Sequence, residues 1–193
     1  PMPEVSAPRV ADANGDPNKV AWSKAASLGE QWYQRGGDKP ASLPLSGKIC
    51  HDDKFLYVEL IDKSDPKRLT VSPQIACYDD WEVVIARQRA QPFRQYLIGP
   101  TAMTFALSYG EVNWRQGVPA SESGTKAYNL TAKTDTSGDK WITRLAFPLD
   151  GMSDKPVKPG ETFYMNIMRV SSPQLSGQPR YGIDTWVAYT TVK

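Results

Sequence analysis

Apolar and polar side chains alternate along most of this chain, which is the pattern of β-strands with one buried face. The pattern is clearest over Phe55–Asp62, where Leu56, Val58 and Leu60 fall on one face. Segments rich in aromatic and β-branched residues follow at 81–86, 95–98, 103–107, 128–134, 141–147, 163–170 and 186–190. The chain is therefore predicted to form seven or eight strands.

Short turn sequences separate these segments, at 52–53, 64–66, 137–139, 158–160 and 176–179. Many short strands with frequent turns are typical of an all-β, two-sheet antiparallel β-sandwich, here jelly-roll-like. Only residues 19–29 carry an apolar stripe with helical spacing, which predicts one short N-terminal helical segment.

The 193 residues fit a single domain, so 1–193 is treated as one unit, with residues 1–10 as an extended, linker-like lead-in. The chain opens on Pro1 rather than Met and is rich in proline there, so we expect a cleaved chain or, preferably, a domain excised from a larger protein. No apolar run approaches the roughly 18 residues of a membrane span, so no membrane partner is expected.

The 23 basic and 21 acidic residues are interspersed, giving a net charge of +2. Such a balance offers no field for nucleic acid and favours a neutral partner. Cys50 and Cys77 could form one disulfide in an oxidising compartment or remain as two thiols, and the positions relative to the predicted strands favour thiols.

No catalytic motif is visible in the chain, which has one histidine, His51. Three acids lie close together at Asp79, Asp80 and Glu82. In a strand, Asp80 and Glu82 point to one face and Asp79 to the other, so the three cannot meet at one bond. We therefore predict that the protein is not an enzyme and that Glu82 is a binding or structural acceptor.

Asp12, Asn14 and Asp16 place oxygen-bearing side chains at alternate positions, which would suit calcium. An ordinary turn explains the same segment equally well, because it lacks the distal bidentate glutamate of a full calcium loop.

Six tryptophans are many for this length, and an indole ring can stack on the apolar face of a sugar. Trp81 and Trp141 fall inside strand patterns and are expected in the core. Trp32, Trp114 and Trp186 lie near loops or strand ends, where an exposed aromatic would indicate binding. The long polar segment 110–125 is a candidate wall of the site.

Six segments in order resemble family 9 carbohydrate-binding modules. They are ADANGDPNKVAW (11–22), HDDKFLYVELID (51–62), YDDWEVVI (78–85), KWITRLAFPL (140–149), GETFYMNIMR (160–169) and the closing DTW (184–186). The resemblance implies a β-sandwich and, in sugar-binding members, two tryptophans that clamp a terminal sugar among polar side chains.

Carried over by position, Glu82 matches the family's sugar-contacting glutamate and Trp186 its second clamp tryptophan. The first clamp tryptophan falls near Ala76, with Tyr78 the nearest aromatic, and several polar positions are replaced, including by Leu97 and Met168. The candidate glycan-binding residues are Trp186, Glu82, Tyr78, Trp114 and Arg169.

The predicted function is a non-catalytic carbohydrate-binding or accessory domain of a secreted or periplasmic bacterial protein that acts on polysaccharide. The sandwich is also similar to haem-binding domains, for which Met103, Met165, Met168 and His51 would be the candidate ligands, but strand methionines are usually core filler. Haem is therefore not expected, and a structural spacer is the third alternative.

Overall fold

The computed structural model describes residues 4–75, 78–109 and 128–186, and nearly all of their regular structure is antiparallel strand. The strands are β1 Ala26–Ser27, β2 Tyr33–Gln34, β3 Leu45–His51, β4 Phe55–Asp62, β5 Asp80–Ala86, β6 Phe93–Ile98, β7 Thr104–Tyr109, β8 Thr131–Asp135, β9 Trp141–Pro148, β10 Tyr164–Ser171 and β11 Gly182–Thr185. The helical elements are 3-10 turns at Pro17–Lys19, Trp22–Lys24 and Pro66–Arg68 and one α-helical turn, α1, at Pro173–Ser176.

The strands form two sheets. The five-stranded sheet has the order β1-β3-β4-β9-β8 and the six-stranded sheet the order β2-β11-β10-β5-β6-β7, with antiparallel neighbours throughout. The prediction of an all-β, two-sheet antiparallel sandwich is confirmed. Within the described ranges, no helix has the length and apolar character needed to cross a membrane.

Several local predictions differ from the structure. Residues 19–29 hold a 3-10 turn at Trp22–Lys24 and the short strand β1 instead of one helical segment. β3 and β11 were not expected, because β3 contains Gly47 and Lys48 in its centre and β11 is only four residues long. Residues 187–190 of the last predicted strand lie outside the described residues.

The core lies between the sheets and is organised around tryptophans. Trp81 on β5 and Trp141 on β9 are fully buried, with ring centroids 6.0 Å apart, and Trp32 packs edge-on against Trp81 at 6.1 Å. The expectation that Trp81 and Trp141 are core residues is confirmed. Trp32, which was considered for binding, is also buried.

The N-terminal segment packs on the outer face of the five-stranded sheet. Val10, Val20 and Trp22 form a second apolar cluster with Tyr57 and Ala146. This packing occupies the centre of that face, so the sheet's outer surface is not available as a broad binding platform.

Backbone and side-chain hydrogen bonds attach the same segment at its start. Residues 8–10 pair with His51, so the predicted lead-in is docked on the sheet at that point. The carboxylate of Asp52 accepts hydrogen bonds from the Ala13 amide and the Tyr57 hydroxyl, and that hydroxyl accepts one from Gly15. The polar groups under the segment are thereby satisfied, which removes a large penalty for burying them.

Cys50 is buried beneath this segment as a free thiol. Burial, aided by the charges of Asp52 and Glu59, raises its pKa to about 12. A protonated thiol is a poor nucleophile, so Cys50 is a packing residue. Cys77 lies outside the described residues.

Arg169 of β10 connects the two sheets through the core. Its Nε donates to Asp62 Oδ2 on β4 at 2.9 Å, and its Nη2 donates to Asp79 Oδ1 at 2.9 Å. The guanidinium also lies 4.8 Å from the ring centre of Trp141 and 5.9 Å from that of Trp81. All three charged groups are buried, so each depends on its partners for stabilisation.

Replacing Arg169 tests this dependence. Arg169→Met should lower the free energy of unfolding by about 3–5 kcal/mol, because it leaves two buried carboxylates unpaired. Urea denaturation followed by tryptophan fluorescence measures it. The matched control is Arg9→Met, which breaks an exposed ion pair with Asp53 and should have a far smaller effect. Equal losses in the two variants would contradict the proposed role of Arg169.

Candidate functional site

The outer face of the six-stranded sheet carries the candidate site. Trp81, Val83 and Ile85 of β5 point into the core, so the alternate residues of this strand point outward. Directly paired residues of neighbouring strands share a face, which places residues of β6 and β10 beside them. The outward residues are Asp80, Glu82, Val84 and Ala86 of β5, Phe93, Gln95 and Leu97 of β6, and Tyr164, Asn166, Met168 and Val170 of β10.

The strand register arranges these side chains in rows across the sheet. Val84 pairs with Gln95 on one side and with Asn166 on the other. In the next row, Ala86 lies between Phe93 of β6 and Tyr164 of β10. At these two rows β5 supplies shorter side chains than its neighbours, and we call the strip of outward positions along β5, from Ala86 to Glu82, the β5 groove.

Polar contacts lie in and beside the groove. The Gln95 amide donates to Glu82 Oε2 at 2.7 Å, and the Thr185 hydroxyl donates to Asn166 Oδ1 at 3.1 Å. Glu82, Gln95 and Asn166 are half-buried. Burial raises the pKa of Glu82, while the hydrogen bond from Gln95 acts in the opposite direction. These groups provide both acceptors and donors on a partly desolvated surface, which suits a ligand with several hydroxyl groups.

Asp80 lies at the end of this face and differs from Glu82. It is fully buried, and neither carboxyl oxygen has a hydrogen-bond partner among the described residues. Burial, together with the nearby charge of Glu82, raises its pKa to about 9, although Arg169 acts in the opposite direction. Asp80 is therefore protonated at neutral pH.

Asp79 points away from these two acids, as the alternation predicted. Its Oδ1 accepts from Arg169 and from the Ser172 amide, and its Oδ2 accepts from the Thr70 amide at 2.7 Å. Asp79 is thus held in the interior by Arg169 and by two backbone amides, and it does not share a site with Glu82.

The predicted ligand-binding residues occupy very different positions. Glu82 lies in the β5 groove, and Tyr78 is half-buried in the segment before β5. Arg169 is completely buried in its ion pairs, which corrects the expectation that it contacts ligand. Trp114 was predicted to bind ligand and the segment 110–125 to form a wall of the site, but this whole stretch lies outside the described residues.

Trp186 is a core residue in this structure. It is 6% exposed, it belongs to the apolar cluster between the sheets, and its indole Nε1 donates to the Leu28 carbonyl at 2.7 Å. A ring in this position has no open face for a sugar. Trp186 thus packs in the core, whereas the resemblance to family 9 modules implied a sugar clamp at this position.

Sequence reasoning missed Gln95, Asn166, Phe93 and Tyr164 as site residues. The alternation of side chains along each strand turns these residues outward, but alternation alone does not show which strands are neighbours in the sheet. The pairing of β5 with both β6 and β10 supplies that information.

The segment predicted to hold calcium forms a turn. Asp12 Oδ1 accepts from the Asn14 amide at 2.8 Å, and Asp16 Oδ1 accepts from the Asn18 amide at 3.0 Å, where it caps the 3-10 turn at Pro17–Lys19. Across the part of the chain that the structure describes, no group of three or more His, Cys, Asp or Glu residues is placed to hold a metal. Calcium at Asp12, Asn14 and Asp16 stays a prediction.

The residues considered for haem do not come together. Met165 and Met168 project from opposite faces of β10, and His51 ends β3 in the other sheet. Met103 is an exposed residue before β7.

The fold is that of solved carbohydrate-binding modules. A family 9 carbohydrate-binding module from Caldicellulosiruptor kristjanssonii in complex with glucose aligns with a TM-score of 0.61 and 13% identity, over 95% of this chain and 90% of that one. The same organism's family 9 module in complex with cellotriose aligns with a TM-score of 0.53 and 12% identity, over 96% and 85%.

A candidate carbohydrate-binding protein from Bacteroides uniformis aligns with a TM-score of 0.55 and 10% identity, over 84% of this chain and 79% of that one. No family model matches the sequence, and no curated protein matches it. At these identities the similarity establishes the fold, a family 9 module-like sandwich.

The neutral state of Asp80 predicts a pH dependence of stability. Its folded pKa lies above the ordinary value of 3.8, so between about pH 4 and pH 9 the folded state binds more protons than the unfolded state. Stability should then fall as the pH rises through this range, by up to about 1.4 kcal/mol per pH unit. Asp80→Asn removes the titrating group, so the variant should gain stability relative to the wild type between pH 5 and pH 8. Urea denaturation of both proteins at pH 5 and at pH 8 measures the difference between their free energies of unfolding. The same difference at the two pH values would contradict a protonated Asp80.

The buried position of Trp186 gives a second prediction. Trp186→Ala should lower the free energy of unfolding by about 3–5 kcal/mol, because it leaves a large cavity in the core. Trp186→Phe keeps most of the packing and should cost less. Thermal and urea denaturation of both variants measure this order, and a fully stable Trp186→Ala protein would contradict the core assignment.

Proposed function

We propose that this protein is a non-catalytic glycan-binding domain whose ligand lies in the β5 groove. The observation that carries the proposal is the half-buried group of Glu82, Gln95 and Asn166 on the outer face of the six-stranded sheet. The solved sandwiches of the same fold include one bound to glucose and one bound to cellotriose, which supports a saccharide as the ligand.

The chemistry of the groove suits a neutral saccharide. A glutamate accepts hydrogen bonds from sugar hydroxyls and donates none, whereas the amides of Gln95 and Asn166 can do both. The net charge of +2 with mixed signs gives no strong field that would select an anionic polymer. Hydroxyl groups are thus the functional groups that this site recognises best.

The environment of the acids supports binding without catalysis. Glycoside hydrolysis needs two carboxyl groups that both reach the scissile bond from opposite sides. Asp80 is fully buried beside Glu82 on one strand, and Asp79 is held in the interior by Arg169. Glu82 is thus left without a second acid of suitable placement among the described residues.

We further propose that the domain is an accessory part of a larger, secreted or periplasmic bacterial protein that acts on polysaccharide. Structural polysaccharides such as cellulose lie outside the cell, so a domain that binds one acts after export. The similarity of the fold to carbohydrate-binding modules supports this assignment.

Removal of the Glu82 charge tests the proposed function. Glu82→Gln keeps the size of the side chain but weakens the hydrogen bonds that the carboxylate accepts, at about 1.5–3 kcal/mol for a bond to a charged group. Affinity for glucose and cellotriose, measured by calorimetric titration, should fall by about tenfold or more.

The matched control is Asp139→Asn, an acid-to-amide change at an exposed turn of the five-stranded sheet, and it should bind as the wild type does. Melting temperatures of both variants exclude a loss of fold. If the wild type binds neither these sugars nor any glycan on an array, the proposed function is wrong. Hydrolysis of a polysaccharide by the wild type that Glu82→Gln abolishes would contradict the absence of catalysis.

A further inference from the structure

One end of the β5 groove has aromatic residues on both sides and a small residue at its floor. Ala86 of β5 pairs with Phe93 of β6 and with Tyr164 of β10, so the alanine lies between the two aromatic positions in one row. Ala86 is 7% exposed, and its methyl group fills little of the width between the two half-buried aromatic residues. We call this arrangement the aromatic slot.

The orientation of Phe93 follows from its other neighbour. Phe93 and Tyr109 of β7 are stacked, with ring centroids 4.7 Å apart and planes 23° apart. That separation equals the usual distance of about 4.7–4.9 Å between neighbouring strands. The two rings therefore face each other across β6 and β7, which leaves the second face of Phe93 for a contact on the side of its other neighbour in the row, Ala86.

The width of the slot suits one sugar ring. Phe93 and Tyr164 are separated by two strand spacings, about 9–10 Å between their backbones. A ring held between two aromatic faces needs van der Waals contact on each side, which is about 3.5–4 Å per contact and 7–8 Å in total. A pyranose thus fits between these residues, whereas a double layer of rings does not.

Polar groups adjoin the slot on the side toward Glu82. On β6 the next outward residue after Phe93 is Gln95, and on β10 the next after Tyr164 is Asn166. The exposed Arg89 guanidinium lies over one face of the Tyr164 ring, 5.5 Å from the ring centre, and can donate to sugar hydroxyls beside that ring. A sugar in the slot would have apolar contacts on its faces and hydrogen-bonding groups at its edge.

We propose that Phe93, Ala86 and Tyr164 form a stacking subsite for one pyranose of a neutral oligosaccharide whose chain continues along β5 to Glu82. The inference rests on the proposed function and adds to it the place where one sugar of a bound chain stacks. Four residues separate Ala86 from Glu82, about 13–14 Å along a strand, which is longer than one sugar ring. The groove thus binds several linked sugars. One sugar stacks at the aromatic end, and another forms hydrogen bonds through its hydroxyls near Glu82.

Calorimetric titration with glucose and with cellotriose tests the subsite. The wild type should bind cellotriose more tightly than glucose, because only the longer sugar covers both ends of the groove. Tyr164→Ala and Phe93→Ala should each weaken cellotriose binding by about tenfold, the scale of one aromatic contact. Ala86→Leu fills the slot without removing an aromatic ring and should have the same effect.

The control is Tyr181→Ala, which removes an exposed tyrosine next to β11, beyond the opposite end of β10, and should leave binding unchanged. Melting temperatures show whether each variant is folded, and Ala86→Leu keeps the test valid if loss of the Phe93 ring unfolds the protein. The slot variants could fold and bind cellotriose as tightly as the wild type while Glu82→Gln binds it more weakly. That result would overturn the subsite and leave the proposed function intact. Absence of any sugar binding by the wild type would overturn both.

Discussion

The ion pairs of Arg169 are the constraint on which the arrangement of the two sheets depends. The guanidinium extends from the six-stranded sheet to Asp62 on the five-stranded sheet and also holds Asp79, directly before β5. A buried arginine is tolerated only where partners satisfy its charge, and here two carboxylates and two tryptophan rings do so. Because Asp79 is fixed, the first residues of β5 are fixed as well, and with them the parity that turns Glu82 outward.

A second constraint decides which face of the sandwich is open. The N-terminal segment covers the outer face of the five-stranded sheet with Val20 and Trp22. The backbone amides of Ala13 and Gly15 attach it there, by donating to the Asp52 carboxylate and the Tyr57 hydroxyl. The six-stranded sheet has no such segment packed on it among the described residues of that cluster, and the proposed function places the ligand on its outer face. Under that proposal, Val84 and Ala86 mark where a ligand would approach the backbone.

Much of the fold could be predicted from the sequence, because alternation is a local property. β4 was expected with its observed bounds, and β9 nearly so, since each is a long apolar and aromatic run. β3 was missed because Gly47 and Lys48 lower its β-propensity, and its position between β1 and β4 outweighs that preference. The site was only partly predictable. Glu82 could be identified by parity and by resemblance, whereas Phe93 and Tyr164 face each other only through a pairing of strands that are far apart in sequence.

Arg169 and Trp186 show that alternation along a strand and position in the fold, rather than chemical character, decide where a side chain lies. Both occupy positions of high chemical interest in the sequence, yet Arg169 alternates inward with Ile167, and Trp186 follows β11 into the core. The same alternation of inward and outward side chains separates the residues that hold the fold from those that would contact a ligand. The inward residues of β5 maintain the sandwich, so its outward residues can vary without loss of the fold. In this chain the aromatic positions lie at the Ala86 end of the face, opposite the end at which the Trp186 ring is buried, and a chain bound along β5 would connect them to Glu82.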